Sequence, residues 1–301
     1  MTRQPITIHG RDHEHGGADV VRIAWEDTGT SGVGGYPDYE TGVGSVGTSL
    51  RAYWRLGEGT SLFADTSGYS VSPADASAIT SGGTGTPVPM TLDFTPGAPI
   101  TDDDGAVQFN LVGTSAAPGD YLLPGWPPGV DNNRTRFAGT LPFTVACWIR
   151  PLANGGTWKG TIIGNVVVTS SGSPGENDNG WRLDMDWPTR VVGITRACAY
   201  GHSSGTLLSA RSPAGLAADT WQHVVGSYDG AMMRLYLNGG LVALQADTGS
   251  SGGGGLQPYI GLGPGPWGGG AQWFYGAVDE VSIWGSALSA YEVATLYASG
   301  T

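Results

Sequence analysis

From residue 50 onward the chain is a succession of short apolar runs cut by glycine and proline. They alternate like strands and have no helical periods between them. "FTVACWIRP" (143–151) sets Phe143, Val145, Cys147 and Ile149 on one side and Thr144, Ala146 and Trp148 on the other, the two-residue period of a strand. "LRAYWRL" alternates in the same way. "GAVQFNLVG", "DYLLPG", "GTIIGNVVV", "GWRLDMDW", "RVVGITRACAY", "WQHVVGSYDG", "MMRLYLNGGLVALQ", "YIGLG" and "FYGAVDEVSIWG" are further runs, bounded by turn residues. Asp229-Gly230 joins two of them as a hairpin-like pair. The 52 glycines and 19 prolines supply turns without a collagen period. Strand after strand at short spacing predicts an all-β antiparallel sandwich. One helix is expected at 288–299, where Ser289-x-x-Glu292 forms a capping box ahead of Val293, Leu296 and Tyr297 at helical spacing.

Charge and composition remove several function classes. The net charge is −12, with Lys159 the only lysine and the arginines scattered. A phosphate backbone needs clustered Lys and Arg, so no nucleic-acid partner is expected. No apolar run reaches the roughly 20 residues of a membrane span, so no membrane insertion is expected. The opening lacks the basic and apolar regions of a secretory signal. The expected location is the cytoplasm, or the outside as part of a particle assembled there. Two cysteines, Cys147 and Cys198, are too few for a disulfide framework and read as buried thiols, with a single bridge as the alternative.

Three regions differ in character. Residues 1–28 mix charges with two short apolar pieces, and a segment this small cannot bury a core alone; they read as an arm that lies on something else. Residues 29–49 are rich in Gly, Ser and Thr and read as a linker. Residues 50–301 carry the strands.

Four blocks in the third region point to a family. "AYWRLGEGTSLFADTSG", "FTVACWIRP", "WQHVVGSYDGAMMRLYLNGGLVA" and "FYGAVDEVSIWGSALSAYEVATLY" together resemble laminin-G-like, concanavalin A-like jelly-roll domains in order and spacing. The resemblance implies two curved antiparallel sheets over 50–301 and a glycan- or protein-binding surface. An insertion of about thirty residues, "YSVSPADASAITSGGTGTPVPMTLDFTPGAPITDD", departs from the family. The opening "HGRDHEHGGAD" (9–19) is similar to N-terminal segments of phage minor tail and fibre proteins. That likeness covers only about 20 residues. It implies a virion protein, a homo-oligomer such as a trimer, joined to other virion proteins through His9, His13, His15 and Asp19. The sandwich is then held toward a host surface glycan. Tail and capsid attachment both stay open, and a capsid-decorating or bracing protein without a host ligand is the alternative.

The chemistry-bearing residues admit competing readings. His13 and His15 on a strand would face one side and in a trimer could ligate a transition metal, but the Gly16-Gly17 that follows breaks a strand, which favours docking. "GHSSG" (201–205) matches a nucleophile-elbow string whose required following helix is missing. Glycoside hydrolysis needs two positioned carboxylates. The E-x-D-x-(x)-E string of jelly-roll glucanases does not occur, and Asp279 and Glu280 are expected on opposite faces of a strand, so no enzyme is expected. The family resemblance implies a calcium ion, with Asp65, Ser67 and Asp279 at the matching positions. "DDDG" (102–105) reads as a solvated turn. Of eleven tryptophans, Trp54, Trp148, Trp221 and Trp284 lie in strands and read as core. Trp126, Trp158 and Trp267 lie in Gly/Pro loops, where each is either a plug over the sandwich or a ring on which a sugar stacks.

Overall fold

The computed structural model describes residues 39–47, 49–56, 62–63, 65–67, 76–80, 93–96, 105–109, 120–124, 134–153, 159–166, 179–198, 206–251, 258–264 and 271–301. By internal contacts the chain divides into Met1–Pro37 and Asp38–Thr301. The first unit, with His9, His13, His15 and Asp19, lies outside the described residues. So do 201–205 and 102–104.

The second unit begins with helix α1 (Tyr39–Ser45). The strands β1 (Leu50–Trp54), β2 (Leu62–Phe63), β3 (Ala76–Thr80), β4 (Asp93–Pro96), β5 (Gly105–Phe109) and β6 (Asp120–Pro124) follow. Next come β7 (Phe143–Pro151), β8 (Lys159–Gly164), β9 (Gly180–Asp186), β10 (Val191–Cys198), β11 (Thr206–Arg211) and β12 (Gln222–Tyr228). The chain continues with β13 (Met232–Leu237), β14 (Gly240–Ala246), β15 (Tyr259–Ile260), β16 (Leu262–Pro264), β17 (Ala271–Trp273) and β18 (Gly276–Trp284), and closes with helix α2 (Ala290–Ser299).

Two antiparallel eight-stranded sheets result, as the alternation predicts. The first runs β14-β13-β12-β7-β18-β5-β4, with β1 also against β18; the second runs β11-β10-β9-β8-β15-β6-β3-β2. A separate ribbon pairs β16 with β17. Phe143, Val145, Cys147 and Ile149 of β7 join Leu183, Met185, Ile194 and Ile260 in the main core between the sheets. Cys147 is free and fully buried, and burial pushes its thiol up.

The other side of β7 is buried too. Ala146 and Trp148, with Val225 of β12 and Tyr236 of β13, pack in a second core under α1 and α2. Helix α2 starts where the capping box predicts: the Glu292 N–H donates to Ser289 Oγ at 3.3 Å, and the Ser289 N–H donates to Glu292 Oε2 at 2.7 Å. Helix α1 corrects the linker reading. Residues 39–45 form a helix whose Tyr39 and Val43 are fully buried in this second core. Tyr39 Oη lies 2.9 Å from His223 Nε2, and Gly42 sits against Ser299 of α2 where a Cβ would collide. A composition that reads as flexible thus supplies the small residue that lets two helices meet.

Two backbone details were not predicted. "MMRLYLNGGLVALQ" is two strands, because Asn238 and Gly239 both take positive φ (48° and 79°), the requirement of a tight type I′ hairpin turn. Glu280 also takes positive φ, 53°, at a register shift between Asp279 and Ser282 in the β18–β7 pairing. Alternation fails there, and both acids are fully buried. Three of the four strand tryptophans, Trp54, Trp148 and Trp284, are buried as expected; Trp221 is only partly so.

Candidate functional site

The outer face of the second sheet is where polar chemistry gathers. In β9, "WRLDMD", Trp181, Leu183 and Met185 enter the main core. Arg182, Asp184 and Asp186 therefore face away from it. Cross-strand register extends this polar face. Arg182 is opposite Gly164 of β8 and Thr195 of β10, Thr195 is opposite Ser209 of β11, and Gly164 is opposite Tyr259 of β15. The row Tyr259–Gly164–Arg182–Thr195–Ser209 crosses five strands, about 19 Å at ~4.8 Å per strand. Arg182, Asp184 and Thr195 on this face are buried.

A charged network joins these side chains. Arg182 Nε donates to Asp184 Oδ2 at 2.8 Å, and Thr195 Oγ1 donates to the same oxygen at 2.9 Å. Arg211 donates to Asp184 Oδ1 through Nη2 and to Asp186 Oδ2, at 2.9 Å, through Nη1. Lys159 Nζ lies 3.3 Å from Asp186 Oδ1. Burial by itself would push the Asp184 carboxyl up, but the charges of Arg182, Arg211 and Lys159 and the Thr195 hydrogen bond outweigh it and hold it below the usual carboxylate range. Arg182 Nη1 donates to Gln272 Oε1 of β17 at 2.9 Å, whereas Nη2 is buried without a hydrogen-bond partner.

Beside the charges stands an aromatic cluster. Ile260 and Leu122 are core residues, so their strand neighbours Tyr259 and Tyr121 face outward. Their ring centroids are 5.8 Å apart, and the Trp273 ring lies 6.5 Å from Tyr121. All three rings are half-buried, leaving part of each available to a partner. Faces of aromatic rings beside a hydrogen-bonding row can hold an amphipathic, hydroxyl-rich molecule.

The residues singled out from sequence fall elsewhere. Trp126, Trp158 and Trp267 lie outside the described residues. Asp65 and Asp279 are both buried. Asp65 Oδ1 accepts the backbone N–H groups of Tyr53 and Ser67, each at 3.1 Å, and Oδ2 accepts from Arg134 Nη2. Asp279 is on β18 and accepts the Glu280 N–H at 3.0 Å. A calcium ion is coordinated by oxygen, and here an arginine charge holds the Asp65 carboxylate while Ser67 engages it through its backbone N–H. Among the described residues, no group of three or more His, Cys, Asp or Glu side chains is placed to hold a metal ion. Reasoning from sequence missed Arg182, Asp184, Thr195, Arg211, Gln272, Tyr121, Tyr259 and Trp273. The signal was present in "WRLDMD", whose charged residues recur at every second position and so must share one face of a strand.

The family model of the concanavalin A-like lectin/glucanases superfamily matches residues 128–294, more than half of the chain. The protein belongs to this superfamily. No curated protein sequence matches the chain. Among solved structures it resembles domain 4 of an extracellular arabinanase from Geobacillus stearothermophilus, in complex with arabinotriose, at TM-score 0.54 and 15% identity, covering 82% of this chain and 98% of that one. It also resembles the binding domain of botulinum neurotoxin DC in complex with SialylT, at TM-score 0.55 and 14% identity, covering 84% of this chain and 52% of that one. The same toxin domain in complex with rat synaptotagmin II gives TM-score 0.55 and 15% identity, with 85% and 53% covered. The chain thus spans about half the length of the toxin binding domains. At these identities the likeness is one of fold.

Proposed function

We propose that the protein binds a glycan without cleaving it, on the outer face of the second sheet. The observation that carries this reading is the half-buried ring cluster Tyr121–Tyr259–Trp273 beside the polar row through Arg182. The complexes of the arabinanase domain with arabinotriose and of the toxin domain with SialylT support it. The finer reading is a phage virion protein, a minor tail or fibre protein. Residues 1–28 dock on other virion proteins as part of a trimer, and the sandwich binds the host envelope. Its support is the string at 9–19. The loop residues Trp126, Trp158 and Trp267 are candidates to extend the ring surface, since in sequence Trp126 follows β6, Trp158 precedes β8, and Trp267 lies between β16 and β17.

Titration of the full chain with host cell-wall polysaccharide tests the reading. Trp273→Ala and Tyr259→Ala should each weaken binding about 5- to 150-fold, taking ~1–3 kcal/mol per ring by analogy with base stacking, with little change in thermal stability. Failure to bind any host envelope fraction would replace host recognition with the bracing or capsid-decorating role. Release of reducing sugar would show that the protein is an enzyme. Deletion of 1–28 should leave binding intact and abolish incorporation into particles.

A further inference from the structure

The geometry points to a glycan that carries a carboxylate, an acidic sugar, received end-on by the Arg182 guanidinium. This rests on the glycan-binding reading and narrows its ligand class. The guanidinium has three nitrogens. Nε is occupied by Asp184. Of the remaining fork, Nη1 is satisfied by the neutral amide oxygen of Gln272, and Nη2 is buried without a partner. A buried donor left unmade is costly, and a charged one more so. Two adjacent guanidinium N–H groups are the partner of a bidentate carboxylate. Gln272 offers that fork one neutral oxygen where a carboxylate would offer two charged ones.

The charge balance agrees. Arg182, Arg211 and Lys159 meet Asp184 and Asp186, leaving one positive charge in excess within a chain whose net charge is −12. Lys159 and Arg211 are partly exposed, 35% and 21%, so the cationic rim is open to solvent while Arg182 lies beneath. Gln272 stands at the only described contact to Nη1, on a three-residue strand whose pairing partner is β16. Rotation of this side chain hands the fork to a ligand oxygen without moving either large sheet.

The test uses the full chain on an array of uronate-bearing, sialylated and neutral glycans, together with host wall polysaccharide before and after chemical reduction of its carboxyl groups. The expected result is binding to carboxylate-bearing glycans, weakened at least tenfold by carboxyl reduction and by raised salt. Gln272→Glu supplies a resident carboxylate to the fork. It should lower acidic-glycan binding more than tenfold while raising Tm. Lys159→Gln, at a partly exposed position, should lower it about threefold with Tm unchanged. Equal binding to reduced and unreduced polymer, or Gln272→Glu binding like the parent chain, overturns the carboxylate proposal and leaves glycan binding standing. Absence of binding to every glycan and wall fraction overturns both.

Discussion

Asp65 provides a sharp test of how the sandwich is held together, because two accounts of the same residue predict different outcomes. As a calcium ligand it would stabilise the fold only with the ion present. In the structure it forms a buried ion pair with Arg134, the side chains 1% and 0% exposed, and ties Tyr53 of β1 to the segment at Ser67. Asp65→Asn keeps an oxygen for the two backbone N–H groups but turns a neutral amide toward the guanidinium. Breaking a buried pair on one side costs about 3–5 kcal/mol. For a domain of this size each kcal/mol moves Tm by roughly 2–4 °C, so the variant should melt about 6–20 °C lower. Asp65→Ala would also orphan the buried Tyr53 N–H, at ~1–3 kcal/mol. Against a total stability of about 5–15 kcal/mol it is the poorer choice, since it risks not folding. The assay is thermal unfolding by circular dichroism of parent and variant, each with calcium and with EDTA. The expected result is a large drop for the variant and no EDTA effect on the parent. A Tm lowered by EDTA in the parent but not in Asp65→Asn, or a variant within 1 kcal/mol of the parent, would refute the ion-pair account.

Two further predictions concern stability. His223 is fully buried, and burial lowers its pKa to about 3, against ~6.5 in the unfolded chain. Between those values the unfolded state binds a proton that the folded state refuses, so stability falls with pH at up to ~1.4 kcal/mol per unit, about 3 kcal/mol by pH 4. For Asp184, whose folded pKa is depressed, the contribution is present above the unfolded value of ~3.9 and is lost as pH falls below it, steepening the acid limb. Urea midpoints measured from pH 7 to 3 check this, and a profile that stays as steep between pH 6.5 and 4 in His223→Gln would refute the histidine assignment. Ser289→Ala removes the α2 cap and should cost about 1 kcal/mol in urea unfolding at pH 7, while Glu292→Gln, which can still reach back to the Ser289 N–H, should cost less.

Sandwich architecture was legible because its strands obey a period. "FTVACWIRP" became β7 with no change of boundary, and the Ser289 box became α2. Glu280 was illegible because a left-handed residue at a bulge has no period to announce it. Helix α1 was illegible because "YETGVGS" has low helix propensity and forms against Trp148, His223 and α2, a tertiary effect. The candidate site was half legible. The charged period of β9 could be read from sequence, but Gln272 and Trp273 lie some 90 residues from Arg182 and meet this face through the β16–β17 ribbon, which no local pattern foretells. Loop tryptophans drew attention because composition makes them conspicuous, whereas the rings that cluster in the structure sit on short strands.

The two outward faces of the sandwich have opposite physical characters, and this bears on where recognition can occur. On the first sheet the outward rows hold Ala146, Trp148, Val225 and Tyr236, an apolar surface that would be an association hazard if bare; α1 and α2 cover it. On the second sheet the outward rows hold charges that burial penalises unless they are paired. A buried ion network is weak support for stability, since apolar residues of similar volume often serve as well or better. Around Asp65 the pairing includes two backbone N–H groups and ties β1 to its neighbouring segment, a structural task. Around Arg182 the pairing stops one acceptor short, at the nitrogen next to a replaceable glutamine amide and beside three half-buried rings. A network that served stability alone would gain by closing that fork, as Gln272→Glu would close it. Leaving it open makes sense where the missing acceptor arrives with the ligand.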